Sequence, residues 1–190
     1  MNENLIVSIL AASVVAGTPL LFASLGELIT ERAGITNLGV DGMMLVGAET
    51  GFMTAVLIGS PWLGVLAALV SGAILALIHA VLCITLKANQ VVSGLALTIF
   101  GTGLSGYLGK AYVGMRLDNP FVKLPVPGLS NIPILGPVLF NHDPLVYISY
   151  ILIIVAALYI YKTRAGLFLR ALGENPAAVD AVGVNVFTRR

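Results

Sequence analysis

Two carboxylates stand inside a stretch otherwise built for lipid. Asp41 and Glu49 lie in "VDGMMLVGAET", part of a run from Val40 to Ser60 that is apolar enough to cross a bilayer. A charge at the bilayer centre costs about 2.5 to 3.5 kcal/mol on insertion scales, so such groups face a bundle interior or a water-filled cavity. With about 100 degrees of rotation per residue, positions 41 and 49 are two turns apart and within a quarter turn in azimuth. One side of a helix can therefore present both carboxylates inward, where they would bind protons or cations. The plainer reading is that Asp41 caps a helix start at the interface while Glu49 hydrogen-bonds a backbone or hydroxyl group of a partner helix. No Lys or Arg lies within any of the apolar runs. Neutralisation would need hydrogen bonds, protonation or water.

A second polar set lies in "ANQVVSGLALTIFGTGLSGYLG". On a helix, Gly94, Thr98, Gly101, Thr102, Ser105 and Gly109 share one stripe, while Leu97, Phe100, Leu104 and Leu108 fall outside it. Small residues let helices approach closely, and that alone accounts for the glycines. The hydroxyls, with Asn89 and Gln90 at the head of the run, tilt the stripe toward a polar pathway. Gly64, Ala68, Ser71 and His79 repeat the pattern more weakly in the preceding run. His79 is either a titrating functional group or a histidine hydrogen-bonded to a neighbouring helix. Cys83 is alone in an apolar run and reads as a small buried hydrophobe, with no partner for a disulfide or a metal set.

Catalytic templates are missing. "GYLGKA" is close to a phosphate-binding loop, but Gly103 stands one place too far from Gly109, and Ala111 replaces the required hydroxyl. No HExxH, CxxC or GxSxG occurs. Uphill movement of a solute would draw on ion coupling or on another subunit.

The elements that must position these residues are set by composition. The chain has 190 residues, of which 58% are hydrophobic and 10% charged, against about 25% charged in soluble domains. Its mean hydropathy is +0.99. A membrane helix needs about 20 mainly apolar residues. Five runs qualify: Leu5 to Leu25, extending to about residue 28, then 40–60, 61–86, 90–109 and 144–161. The expected fold is all-α, a polytopic transmembrane bundle. The start "MNENLIVSIL" lacks a basic region before its apolar run, so that run reads as a retained span instead of a signal peptide.

Net charge of +1 without like-charge blocks argues against nucleic acid as a partner. Cytoplasmic loops carry the excess of Lys and Arg. With the N-terminus outside, Arg32, Lys87, Lys162, Arg164, Arg170, Arg189 and Arg190 fall inside, whereas Lys110, Arg116 and Lys123 fall outside. That orientation is expected, unless "ERAGITNLGVDG" is a re-entrant element that changes the parity before it. The outer loop, 110–143, contains Pro120, Pro125, Pro127, Pro133 and Pro137, which forbid a continuous helix. Its apolar residues suggest short segments on the outer membrane face that form a docking surface.

Segment 164–190 has a different character. In "GENPAAVDAVGVN", Asn175 suits an N-cap, Pro176 the first helical position and Gly183 the position just past the end. Leu172, Val179, Val182 and Val186 make an apolar side, and Glu174, Ala178, Ala181 and Asn185 leave a flat one. Caps at both ends suit a short helix that docks in a groove of another protein; the alternative is a helix resting on the membrane surface.

"RALGENPAAVDAVGVN" resembles the cytoplasmic coupling segment of permease subunits of ATP-binding-cassette importers, in the superfamily serving ribose-type sugars, nucleosides and branched-chain amino acids. "ERAGITNLGVDGMMLVGAETGF" and "ANQVVSGLALTIFGTGLSGYLG" are similar to early segments of its nucleoside and simple-sugar branch. The resemblance implies that Arg170, Glu174, Asn175, Pro176, Ala178 and Gly183 form a coupling helix seated on the ATPase. It places Asn37, Asp41, Gln90, Ser93 and Thr98 near the substrate pathway, to which the charge argument adds Glu49. It further implies a second permease subunit, identical or different, two ATPase subunits that hold the ATP, an extracytoplasmic binding protein, and a multi-pass location in the cell membrane. No catalytic residue, metal site or cofactor is expected in the chain itself. Family members continue with further spans, so the chain is expected to be partial. Two rival readings remain open on the residues alone. One is an ion-coupled transporter or channel using Asp41 and Glu49; the other is a membrane scaffold that recruits a partner through its terminal helix.

Overall fold

Five apolar helices long enough to cross a membrane dominate the computed structural model, which describes residues 3–183 together with 185 and 186. In chain order the helices are α1 (Glu3–Arg32), α2 (Val40–Ile58), α3 (Pro61–Ala80), α4 (Gln90–Gly109), the short α5 (Leu135–Leu139), α6 (Pro144–Lys162), α7 (Arg164–Glu174) and α8 (Pro176–Ala181). A two-residue strand pair, β1 (Leu124–Pro125) with β2 (Asn141–His142), is the only sheet among the described residues. The all-α, membrane-spanning expectation holds. Large apolar side chains such as Leu69, Ile99 and Ile154 stand exposed along these helices, as they must where lipid is the solvent. Arg189 and Arg190, counted in the orientation argument, lie outside the described residues.

The chain divides into two compact units. One comprises α1 up to Gly26, the segment from Phe121 and α6. Asp143 starts α6 by accepting from the N–H groups of Leu145 at 2.9 Å and Val146 at 3.3 Å, with Pro144 at the first helical position. The proline-rich segment is folded. β1 and β2 pair antiparallel, and the Tyr147 hydroxyl donates to the Leu124 carbonyl at 2.8 Å while accepting from the His142 N–H at 3.2 Å. The prolines exclude a continuous helix but leave room for short elements pinned by a tyrosine of the following helix.

The other unit runs from Glu27 to Pro120 and resumes at Arg164. Here α2 turns into α3 through Gly59, whose φ of +74° only glycine adopts without strain. The two helices close on small residues. A Cβ on Gly64 would stand 2.6 Å from the Gly51 carbonyl oxygen, and one on Gly51 would stand 3.2 Å from the Ala68 methyl. The Thr50 and Ser71 hydroxyls meet across this seam at 2.7 Å. The weak stripe expected on the third run is therefore a packing face. A π-helical turn, Val81–Thr85, extends α3, and Asn89 caps α4 by accepting from Val91 and Val92 N–H.

Two boundaries differ from the sequence reading. α1 continues four residues beyond the expected end near 28, to Arg32, because Glu27, Glu31 and Arg32 lower hydropathy without breaking the helix. The C-terminal segment holds two helices where one was expected. Pro176 has no N–H to donate and pushes Asn175 into extended backbone, with φ −152° and ψ 91°, so α7 ends at Glu174 and α8 starts afresh.

Candidate functional site

The loop between α1 and α2, residues 33–39, collects most of the polar residues that the sequence singled out. Ala33, Ile35 and Asn37 are buried there, so each backbone polar group needs a partner. Side chains from three helices supply them. Gln90, at the head of α4, accepts from Thr36 N–H through Oε1 at 2.8 Å and donates through Nε2 to the Gly34 carbonyl at 3.5 Å. Thr98, two turns on, donates to the Leu38 carbonyl at 2.7 Å. Glu27, near the end of α1, accepts from Asn37 N–H at 2.8 Å and from the Thr30 hydroxyl at 3.1 Å. Asn37 turns its own side chain back, accepting from Gly39 N–H at 3.0 Å, with Nδ2 3.5 Å from Met43 Sδ.

His79 completes the set from α3. It is 3% exposed, with Nε2 3.3 Å from the Thr36 carbonyl and Nδ1 3.1 Å from the Ser93 hydroxyl. A carbonyl can only accept, so Nε2 carries a proton and donates, and Ser93 satisfies the other nitrogen. The geometry matches the reading of His79 as a histidine bonded to its neighbours. Cys83 Sγ lies 3.6 Å from the same ring, one turn along.

Close approach of backbones fixes this arrangement. A Cβ on Gly94 would stand 2.8 Å from Leu38 N, and one on Gly101 would stand 2.5 Å from Gly42 O and 2.6 Å from Gly42 Cα. Thus Gly94, Thr98 and Gly101 are the stripe by which α4 lies on α2 and the loop before it, with Met43, Val46, Leu75 and Leu97 packed together as a core. Thr102 donates only to its own helix, at the Thr98 carbonyl. The stripe acts here as a packing surface.

The two acidic residues part company. Asp41 is exposed in the first turn of α2, where the helix dipole favours an anion; the N-cap position itself is Gly39. Glu49 is half-buried midway along α2. Its carboxylate fills the space where a Cβ on Gly109 would lie, 2.6 Å from Oε2, and Oε1 is buried without a hydrogen-bond partner. Of the two, Glu49 alone lies against Gly109.

At the C-terminal end, Asn175 accepts from Ala178 N–H at 3.1 Å, Pro176 occupies the first position of α8, and Gly183 follows in left-handed backbone at φ +81°. Between α7 and α8 runs a groove of about 470 Å³, lined by Leu167, Phe168 and Ala171 on one side and Ala178, Val179 and Val182 on the other, with Glu174 and Asn175 between. Arg170 is half-buried on α7. The expected apolar side divides: Leu172 is 0% and Val179 6% exposed, but Val182 is 75% exposed. In the last turn of α7, a Cβ on Gly173 would stand 2.5 Å from the Arg32 carbonyl oxygen and 3.3 Å from Gly34 N. The C-terminal segment is thus packed onto the same loop that Gln90 and His79 hold. Sequence reasoning missed Glu27 and Gly173. Glu27 had a signal, as an acid at the tail of an apolar run; Gly173 had none.

Five apolar helices and a capped short helix near the C-terminal end set the class as an all-α, multi-pass membrane protein. The chain belongs to the family described as the branched-chain amino acid transport system / permease component, whose model matches residues 9–190, and it is a multi-pass protein of the cell membrane. It is 43% identical over 185 residues to a putative glucose ABC transporter permease protein of Haloferax volcanii, covering 96% of this chain and 56% of the relative. It is 36% identical over 196 residues to the guanosine ABC transporter permease protein NupQ of Bacillus subtilis, covering 96% and 60%. It is likewise 36% identical over 197 residues to the nucleoside ABC transporter permease protein NupC of Lactococcus lactis, covering 98% and 62%. The chain therefore spans about three-fifths of the length of these relatives. No solved structure matches it.

Proposed function

We propose that the chain forms the membrane-spanning part of a permease subunit in an ATP-driven importer for nucleosides or simple sugars. It carries no ATPase site or cofactor of its own. A partner ATPase binds and hydrolyses ATP, a second permease subunit completes the pathway, and an extracytoplasmic binding protein delivers substrate. The N-terminus faces outward and α7 and α8 face the cytoplasm. Relatives named for glucose, guanosine and nucleosides support the substrate class.

The observation that carries the reading is the groove between α7 and α8, with its capped second helix and exposed Ala178. Two caps hold a six-residue helix that is far too short to be stable alone. A flat side of small residues lets a partner surface approach closely, and closure of the ATPase then displaces α8 as a rigid piece. The test is crosslinking from a cysteine at Ala178, in a Cys83→Ser background and in native membranes, with mass spectrometry of the captured partner. Capture of an ATP-binding-cassette ATPase, altered by nucleotide, is expected. Lipid-only capture, or labelling by an impermeant reagent from outside, would refute the docking or the topology.

One observation favours a second reading, an ion-coupled transporter. Glu49 Oε1 is buried without a partner, as a proton-binding carboxyl would be. That reading requires Glu49→Gln to abolish coupling and uptake to proceed without an ATPase, and the importer reading requires uptake to depend on ATP.

A further inference from the structure

We infer that the loop 33–39 carries movement of α7 into α3 and α4, with Gly173 and Gln90 as its two couplers. The inference rests on the reading of α7 and α8 as the element that meets the ATPase. Gly34 stands between the two: a Cβ built on Gly173 would lie 3.3 Å from Gly34 N and 2.5 Å from the Arg32 carbonyl oxygen, so α7 packs against this turn only because residue 173 has no side chain, and Gln90 Nε2 is 3.5 Å from the Gly34 carbonyl. On α7 the neighbouring Leu172 is fully buried, so this turn cannot slide without moving what it touches.

Beyond Gly34 the loop has little slack. Gly34 supplies its one left-handed residue, at φ +78°. Thr36 is held through N–H by Gln90 and through its carbonyl by His79, Asn37 N–H by Glu27, and the Leu38 carbonyl by Thr98. Close-packed interiors transmit displacement instead of absorbing it. A shift of α7 at Arg32 and Gly34 thus reaches Thr36, which Gln90 fixes through its N–H; from Thr36 it passes to α4 through Gln90 itself and to α3 through His79 on the Thr36 carbonyl. Gln90 and Gly173 are positioning residues in this scheme: they touch the loop, and the loop moves the helices.

Cys83, 3.6 Å from the His79 ring, reports on the far end of this chain of contacts. The full-length permease, assembled with its ATPase and binding protein in proteoliposomes, is tested as wild type, Gly173→Ala, Gln90→Leu, Gln90→Glu and the Gly103→Ala control. Uptake, ATP hydrolysis and the alkylation rate of Cys83 with and without a non-hydrolysable ATP analogue are measured, the last by peptide mass spectrometry. In wild type, nucleotide should change the Cys83 rate by at least about fivefold, the low end of ordinary coupling between sites. Gly173→Ala and Gln90→Leu should keep ATP hydrolysis, lower uptake about fivefold or more and erase the nucleotide response at Cys83. Their losses should be non-additive, since both break one route. Gln90→Glu, which still accepts from Thr36 N–H, should recover part of the uptake. A Cys83 response that persists in both variants, or losses that simply add, would overturn the inference. Uptake by the wild-type complex that ignores ATP would instead refute the importer reading, and the inference with it.

Discussion

Gly101→Ala tests the central packing claim most directly. In α4, a Cβ at residue 101 would lie 2.5 Å from Gly42 O and 2.6 Å from Gly42 Cα, both backbone atoms that no rotamer change can remove. Carbon atoms in contact sit about 3.5 to 4.0 Å apart. The helices must therefore separate by roughly 1 Å, or α4 must rotate, and overpacking of this kind costs about 1–3 kcal/mol. Separation also stretches the 2.7 Å bond from Thr98 to the Leu38 carbonyl; losing it adds about 1 kcal/mol. The expected destabilisation is about 2–4 kcal/mol, the sum of those two costs. Gly103 is the control on the same helix, with nothing within 4 Å of a built Cβ. Its change to alanine should be neutral or stabilising by up to about 1 kcal/mol, from helix propensity alone. Equilibrium unfolding of both variants in detergent or bicelles, read by steric trapping, gives the two values. A Gly101→Ala loss within about 0.5 kcal/mol of Gly103→Ala, the usual scatter of surface substitutions, would refute the close α2–α4 crossing.

Three further outcomes are expected. Thr50→Val and Ser71→Ala should each weaken the α2–α3 seam, with a coupling of about 0.6 kcal/mol in a double-mutant cycle, the average for hydroxyl bonds between membrane helices; a coupling of zero would mean the 2.7 Å contact is not a bond that matters. Asn175→Ala removes the acceptor for Ala178 N–H and should destabilise α8 by about 0.5–2 kcal/mol. Hydrogen exchange confined to residues 176–181 should then speed up, and unchanged exchange would refute the cap. Glu49→Gln should leave nucleoside or sugar uptake within about twofold, under the roughly fivefold that marks coupling between sites; abolished uptake would favour ion coupling.

Much of the architecture was written in local chemistry. Run length gave the spans, and Asn175, Pro176 and Gly183 gave α8, because caps act on their own neighbours. The helix faces were legible too: Gly94, Thr98 and Gly101 fall on one side by spacing alone. What spacing could not supply was the opposing surface. That Gly42 meets Gly101, or that Gly173 rests on Arg32, depends on which helices pair, and a glycine in "RALGEN" looks no different from one in a frayed end. Asp41 and Glu49 show the same limit. Their shared azimuth was read from one helix, but only the space beside Gly109 decides which of them is drawn inward.

That limit changes how polar residues in such a sequence should be weighed. Irregular backbone away from water leaves N–H and C=O groups that must be satisfied by protein, and each unmet group costs about 1–3 kcal/mol. The loop 33–39 is such a segment, and Gln90, Thr98, Glu27 and His79 meet its needs. A polar residue on a membrane helix near an irregular loop is therefore explained by the loop before any solute is invoked. Applied here, the argument accounts for Gln90, Thr98 and Asn37 by bonds within or to the loop, and for Ser93 by its bond to His79. Among the residues placed on the pathway, Asp41 and Glu49 are left, the first exposed and the second with a buried Oε1 that no described residue partners. If uptake survives Glu49→Gln but its substrate preference shifts, that carboxylate lies on the pathway; if neither uptake nor preference changes, the pathway does not pass the α2–α4 seam at Gly109.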